Sequence, residues 1–391
     1  ITEEDLLVKS EAYVNARGLK VDEILGASNF GSTYLAYRGN SIEIDTISMI
    51  SDRDEQERLI FFNTNLLDAQ FNGEFEITQL YNNIKTLVKE YQLSLRNNQD
   101  EIRTYYNTKN NVNQDYSMDY SINIKDLNPL FQVFAPKLHL SQSSVITGNF
   151  TGGYTSIVSL ETNLDSLVFD QNIFMNNDIQ LNVSKISDST QILAAGYVFS
   201  KNQSLKTIKT KNLFFEGIWN DNHIDYEFDL EQVDFDNSAS LIGSIDFETD
   251  TIEFNLAQAD LKILDEQWRI VENNLIALSG KNIIVQDFIL NNRNQRISID
   301  GDISELASSV MKVTIDSVEL DNLNTVLNKN VSGLINGFAQ IRDVYGSMLI
   351  DIRLELDQLV VDDYLIGDSV LQVLGVHKAH VQLQLRGLAA Y

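Results

Sequence analysis

Residues 294–304 read "NQRISIDGDIS" and show the pattern from which the fold class is predicted. Ile297, Ile299 and Ile303 alternate with polar residues, which is the period of a β-strand with one dry face and one wet face. Gly301 falls on the dry face, where another large apolar side chain is expected. A glycine weakens a strand and usually marks a bulge, a bend or the close approach of another backbone.

The same pattern, apolar-x-Gly-x-apolar, recurs along the chain with the glycine always on the dry face. Its intervals are irregular, which excludes a solenoid of fixed period. We predict that these glycines are the points where strands bend and curl a sheet into a trough. The alternative is that they are small residues facing large ones in a closed β-sandwich core. The glycines are Gly73, Gly148, Gly196, Gly217, Gly243, Gly301 and Gly337.

Period-2 alternation dominates the rest of the chain, most clearly in "IDYEFDL" (224–230) and "IDIRLEL" (350–356). Asn-Asn pairs between such runs are interpreted as turns, because Asn tolerates the left-handed conformation. The two prolines suit a continuously hydrogen-bonded sheet, although a genome poor in proline codons would have the same effect. The sequence therefore predicts an all-β fold: one long curled antiparallel sheet forming a taco-like trough.

One segment departs from the alternation. From Ile77 to Leu95 apolar residues recur every three or four positions, which predicts an amphipathic helix packed against the sheet or plugging its end. The polar stretch that follows it is predicted to be a loop. The predicted organisation is an N-terminal β segment, the helix, the loop, the main β-trough and an atypical tail, at residues 1–76, 77–104, 105–115, 116–372 and 373–391.

Composition excludes several classes of function. The net charge of −27 repels nucleic acid and anionic lipid headgroups. The absence of cysteine excludes disulfides, zinc-thiolate sites and thiol nucleophiles. No apolar run reaches the roughly 18 residues of a membrane-spanning helix. We expect a soluble protein or a soluble piece of a longer one.

Catalytic motifs are missing from the sequence. His377 and His380 form a close pair without an acidic neighbour to complete a metal site. Asp300 and Asp302 faintly resemble the start of a calcium loop, but the later ligand positions are unfilled. No phosphate-binding loop or nucleophile elbow is present. We predict no enzymatic activity, no catalytic residue, no metal and no cofactor.

Five stretches in order resemble the TamB-like inner subunit of the bacterial translocation and assembly module, within the AsmA-like superfamily. They carry strands ending in the glycine pattern and short apolar phrases such as "G-x-l-x-G-x-A" and "y-x-l-G", and they span about three quarters of the chain. The stretches are "LLDAQFNGEFEITQL" (66–80), "NPLFQVFAPKLHLSQSSVITGNF" (128–150), "WRIVENNLIALSGKNIIVQDFILNNRNQRISIDGDIS" (268–304), "NLNTVLNKNVSGLINGFAQIRDVYGSMLIDI" (322–352) and "YLIGDS" (364–369).

This resemblance implies a periplasmic protein of a Gram-negative envelope, tethered to the inner membrane by an anchor outside this sequence. It implies a trough with an apolar floor that conducts phospholipid toward the outer membrane. It further implies a BamA-type outer-membrane barrel as partner and a role in assembly and secretion of outer-membrane proteins. Residues 375–391 lack Asp and Glu, so we expect the family-like sequence to stop near residue 372.

On this interpretation, the dry-face residues of the clearest strands contact acyl chains, whose burial is non-directional and needs no specific side chain. The alternative interpretation makes them ordinary core of a structural or adhesive cell-surface β-sandwich or β-solenoid. A β-solenoid enzyme such as a polysaccharide lyase is a more distant alternative. The candidate lipid-facing residues are Tyr226, Phe228, Ile297, Ile299, Ile303, Ile350, Ile352, Leu354 and Leu356.

Overall fold

A computed structural model describes residues 6–109, 115–263, 266–323, 330–362, 364–376 and 382–387. Strands make up most of these residues, and every strand pairing in the ladders is antiparallel. The predicted all-β fold built on a long antiparallel sheet is therefore confirmed. The chain divides into two compact units, residues 1–222 and 223–391.

The first unit holds three helices and fifteen strands in its described part. The helices are α1 (Ile77–Arg96), α2 (Gln99–Thr108) and α3 (Asn128–Phe134). The strands are β1 (Leu6–Lys9), β2 (Ala12–Arg17), β3 (Leu25–Phe30), β4 (Thr33–Tyr37), β5 (Asn40–Ile44), β6 (Ile47–Asp54), β7 (Glu57–Thr64), β8 (Leu67–Glu74), β9 (Tyr116–Ile124), β10 (Leu138–Leu140), β11 (Ser144–Gly152), β12 (Thr155–Phe169), β13 (Asn172–Ile186), β14 (Ile192–Leu205) and β15 (Ile208–Asn220).

Strands of the first unit pair mostly with their sequence neighbours. The ladder runs β2–β3–β6–β7–β8–β9–β11–β12–β13–β14–β15, and β10 adds to β12. β1, β4 and β5 form a separate small sheet. The described residues also include two 3₁₀ turns, Val21–Glu23 in this unit and Leu320–Leu323 in the second.

The second unit is built from twelve strands in its described part. They are β16 (His223–Gln232), β17 (Ser238–Glu248), β18 (Thr251–Ile263), β19 (Glu266–Ile270), β20 (Leu275–Ser279), β21 (Asn282–Asn292), β22 (Gln295–Ile303), β23 (Val310–Glu319), β24 (Val331–Arg342), β25 (Leu349–Val361), β26 (Tyr364–Val376) and β27 (Gln382–Gly387). β18 pairs with both β19 and β20, which both pair with β21, and the ladder then continues in sequence order to β27.

The single helix predicted over 77–104 is wrong: two helices occupy the region, and residues 105–108 of the predicted loop belong to α2. The chain breaks at Asn97, which adopts the left-handed conformation and donates its N–H to the carbonyls of Leu93 and Ser94. Asn98 then caps α2, its side chain accepting the N–H of Glu101. Asn is favoured in both roles, as a left-handed residue at a helix C-terminus and as an N-cap. Residues 110–114 of the predicted loop lie outside the described residues.

The predicted apolar face of the first helix divides into two. α1 packs against the sheet, as expected, through Leu80, Leu87 and Tyr91. A neighbouring stripe of the same helix stays exposed, with Tyr81 at 64% and Val88 at 51%. A helix on a protein surface typically buries an apolar stripe about 100° wide. The apolar residues of α1 cover a wider arc, so part of the arc remains exposed.

Two further assignments differ from the sequence predictions. The third helix, α3, lies inside the segment expected to be all strand, and its signal was Pro129 in the first turn, where proline fits a helix. The Asn-Asn pairs at 82–83 and 176–177, interpreted as turns, lie inside α1 and β13. Position 176 shows why: Asn176 takes the left-handed conformation within an otherwise continuous strand.

Two clusters of buried apolar side chains both lie in the first unit. One packs α1 onto the sheet around Phe75, Met118 and Phe150. The other packs α3 through Val133 onto Ile42 of the small sheet. In the first unit, therefore, helices cover part of the apolar side of the sheet.

Candidate functional site: the apolar face of the second unit

Cross-strand register places one row of apolar positions across ten strands of the second unit. Residues directly opposite each other in an antiparallel pair share a face of the sheet. At about 4.8 Å per strand, nine steps make this row about 43 Å long. From β16 to β26 the row runs Ile224, Ile245, Phe254, Ile276, Val285, Gly301, Met311, Ile341, Ile350 and Gly375.

Parallel rows on the same face take in the remaining candidate residues. Ile299 lies between Phe288 and Val313, and that row continues through Ala339 to Ile352. The next row joins Leu290, Ile297, Ile315, Gly337, Leu354 and Leu371. Ile303 faces Ile283, Leu356 faces Ile335, and Tyr226 and Phe228 face Gly243 and Leu241. The structure thus brings all nine candidate residues onto one face.

Burial of this face is incomplete. All nine candidate side chains are half-buried, and in the ten-strand row the side chain that reaches full burial is Val285, at 8% exposure. Phe150, under α1 in the first unit, is only 2% exposed. Neighbouring strands cover the flanks of a side chain, whereas a second layer covers its tip. Apart from the one 3₁₀ turn, the described elements of the second unit are strands.

The opposite face of the same strands is polar. Asp300, Lys312, Gln340 and Asp351 follow one another across β22 to β25. Gln340 donates from Nε2 to Oδ2 of Asp351 over 3.0 Å. The sheet of the second unit is therefore amphipathic, with a polar face suited to water and an apolar face on the other side.

Gly301 takes a backbone conformation that side chains resist. Its φ is +123°, and a Cβ added there would lie 2.0 Å from the carbonyl oxygen of Val310 on β23. Gly337 repeats this arrangement, with φ +143° and the Arg353 carbonyl oxygen at 2.1 Å. At these positions the strand gives up a side chain because the neighbouring backbone occupies its place.

Other glycines of the set lie close both to a neighbouring backbone and to a tyrosine ring: the nearest atoms to an added Cβ are the carbonyl oxygen of Asn255 for Gly243, at 2.2 Å, and that of Ser159 for Gly148, at 2.0 Å. A Cβ on Gly243 would lie 2.6 Å from the hydroxyl oxygen of Tyr226, and one on Gly148 would lie 2.5 Å from that of Tyr120. Burial against the sheet raises the pKa of both tyrosines. A ring lying over a cross-strand glycine shields the backbone that the glycine would otherwise expose. Gly73 approaches the Ser117 carbonyl oxygen, and Gly196 faces Gly217 directly across β14 and β15.

Sequence reasoning missed a row of β-bulges in the second unit. Asp287, Ser317 and Gln358 are left-handed residues at register shifts in β21, β23 and β25. The N–H of each bulge residue is accepted by an Asp or Asn side chain of the next strand, in the Ser317 case by Oδ1 of Asn336 at 2.7 Å. The signal was present in the sequence: apolar spacing widens from two to three residues at each bulge.

One polar constellation stands on the sheet of the second unit. His223 contacts Asp246 through Nδ1 at 2.5 Å and Asp225 through Nε2 at 3.0 Å. These hydrogen bonds, that to Asp246 first, raise the pKa of the imidazole above its usual 6.5. Among the described residues, no group of three acidic or histidine side chains is arranged to hold a metal ion. His377 and His380 lie outside the described residues.

No protein-family model, no curated protein and no solved structure matches the chain. None of the helices in the described ranges combines the length and apolar character needed to cross a membrane.

Proposed function

We propose that this chain is a TamB-like envelope segment that conducts phospholipid along the apolar face of its sheet. The observation that carries the proposal is the ten-strand apolar row, in which every side chain except that of Val285 is half-buried, while the reverse face is charged. Ile297 to Ile303 extend this face about 20 Å along β22. With the row length of about 43 Å, the face has a footprint of roughly 850 Å² on the sheet.

Acyl chains fit such a face physically. Burial of a methylene is worth about 0.8 kcal/mol, so a chain of about sixteen carbons with half its methylenes covered gains about 6 kcal/mol. The gain depends on area rather than on direction, which lets a chain slide from row to row. The lack of basic residues in the rows leaves the headgroup free of specific contacts, as transport of mixed phospholipids requires.

In this proposal the segment lies in the periplasm and joins the inner and outer membranes. The proposal includes a BamA-type outer-membrane barrel as partner and a supporting role in assembly and secretion of outer-membrane proteins. These elements rest on the sequence resemblance. The adhesive or structural β-protein remains the competing hypothesis, and it requires the apolar face to be closed by protein.

The test is the lipid content of the chain purified without detergent. We expect mass spectrometry of an organic extract to find several phospholipids per chain. Ile299→Asp, on the apolar face, should lose them, whereas the matched control Thr314→Asp, which adds the same charge to the polar face of the next strand, should keep them. A lipid-free, monodisperse protein would reject the proposal in favour of the structural alternative.

A further inference from the structure

The helix pair α1–α2 is an insertion at the tip of a hairpin. β8 and β9 pair directly from Leu67 with Ile124 to Glu74 with Ser117. A two-residue turn is enough to close such an antiparallel pair. The chain instead carries both helices between these strands, so the sheet does not need them for its continuity.

The inserted helices cover the apolar face of the first unit. Leu87 packs with Met118 and Phe150, which are 5% and 2% exposed. Phe150 begins a cross-strand row through Val158, Val183 and Ala194 to Trp219. Trp219 in turn meets Tyr91 of α1 edge to face, with 5.9 Å between ring centroids.

Farther along the same strands the face is open. Leu181, two residues from Val183, is 40% exposed, and Phe215 is 42% exposed. The apolar face of the first unit therefore passes from covered to open within one set of strands, and the cover is α1.

A buried ionic cluster fastens the helices to the sheet. The Glu90 carboxylate of α1 lies 2.6 Å from Nζ of Lys109 and 3.5 Å from Nζ of Lys185 on β13. Tyr105 of α2 donates its hydroxyl to the same carboxylate over 3.0 Å. Glu90 and Lys185 are each 1% exposed. Burial lowers the pKa of Lys185 despite the nearby carboxylate.

The two lysines also hold the loop at the far end of β13. Lys109 donates to the carbonyl of Ser187, and Lys185 donates to the carbonyls of Ile186 and Ser189. Breaking a buried pair from one side is costly, whereas an intact pair adds little beyond an apolar contact. Such a cluster holds the helices in one docked position. Removing one of its charges is expected to disrupt all of its ion pairs together.

We propose that α1 and α2 form a removable lid over an acyl-chain site on the first unit, with the Glu90 cluster as its latch. The site is the surface now covered by the lid, around Met118, Phe150 and Val158. The lid occupies the place of an acyl chain and so controls access to this part of the sheet. The inference rests on the proposed function for the chemistry of its ligand.

The test uses two variants of the full chain. Glu90→Gln removes the latch charge, and Glu101→Gln, on the exposed side of α2, is its matched control. In a second variant Asn-Gly replaces residues 77–115, which removes the lid and keeps Glu76 for its ion pairs with Arg53 and Arg58. The probe is phosphatidylethanolamine, whose headgroup carries no net charge, with a photoactivatable acyl chain, and labelled peptides are located by mass spectrometry.

We expect the probe to label β9, β11 and β12 in both lid variants at least tenfold more than in wild type and Glu101→Gln. In Glu90→Gln, α1 amides should exchange with solvent at least about a hundredfold faster while β11 to β13 keep their protection. Unchanged labelling in the shortened variant overturns the lid, and so does a loss of protection throughout the first unit in Glu90→Gln. Labelling confined to the second unit in every variant rejects the lid and leaves the proposed function standing, whereas no labelling anywhere rejects both.

Discussion

Replacing Ile299 by Asp separates an open apolar face from a closed core. Ile299 is half-buried between Phe288 and Val313. Full burial of an isoleucine is worth about 1.5–3 kcal/mol, and the weaker strand preference of Asp adds up to about 1 kcal/mol. On an open face the carboxylate still reaches water. Because Ile299 is only half-buried, about half of that burial energy is lost, and the expected loss in unfolding free energy is about 1–2.5 kcal/mol.

A closed core gives a different magnitude. There the carboxylate would lose its hydration as well, and the cost would exceed about 5 kcal/mol. Ile124, 1% exposed in the first unit, provides this comparison with the same substitution. We expect Ile124→Asp to unfold its surroundings.

The assay is hydrogen exchange of the folded protein, read peptide by peptide. In Ile299→Asp the amides of β21 to β23 should keep most of their protection, whereas Ile124→Asp should abolish protection in β8, β9 and β11. If Ile299→Asp unfolds the second unit as thoroughly as Ile124→Asp unfolds its own, the face is closed and the reasoning is refuted.

Three further predictions concern the sheet itself. Gly301→Ala should destabilise the second unit by about 2–4 kcal/mol, because the added Cβ would overlap a backbone carbonyl. Gly280 is also left-handed but has no atom near the position of a Cβ, so Gly280→Ala should cost only about 1 kcal/mol. Chemical denaturation measures both losses. Asn336→Ala leaves the bulge N–H of β23 without its acceptor, so we expect a loss of about 1–3 kcal/mol and faster exchange of that amide. The pKa of His223 is raised in the folded state, so the stability that its protonated imidazole contributes is fully present below about pH 6.5 and is lost as the pH rises through the folded-state pKa. Between pH 6 and 8.5 the melting temperature should therefore fall more steeply in wild type than in His223→Gln. An unchanged slope in that variant would show that the imidazole is not linked to folding.

Sequence alone was enough for the class of fold and for the shared face of the residues in the clearest strands. Alternation identified Ile299 and Ile350 as dry-face residues, because every second residue of a regular strand lies on the same face. The sequence could not fix which strand pairs with which, and thus could not show that Ile350 lies on the same ten-strand row as Ile224. Register depends on turns and bulges, and the bulge at Ser317 shifts it by one residue.

The helical insertion shows the opposite limit. The spacing from Ile77 to Leu95 identified α1, but the break at Asn97 depends on a left-handed residue that an Asn-Asn pair only permits. The ionic cluster was not foreseeable, since Glu90, Lys109 and Lys185 are distant in sequence and ordinary in composition. Only the packing of α1 on β13 brings them together and removes them from water.

Site-specific photo-crosslinking in Gram-negative cells that express the chain in the periplasm tests whether phospholipid contacts the apolar face. A benzophenone amino acid is placed at Ile299, on the apolar face, and separately at Asp300, one residue along on the polar face. We expect crosslinks to phospholipid from position 299 and none from position 300. Equal crosslinking at the two positions, or crosslinks from position 299 to protein alone, would contradict this expectation.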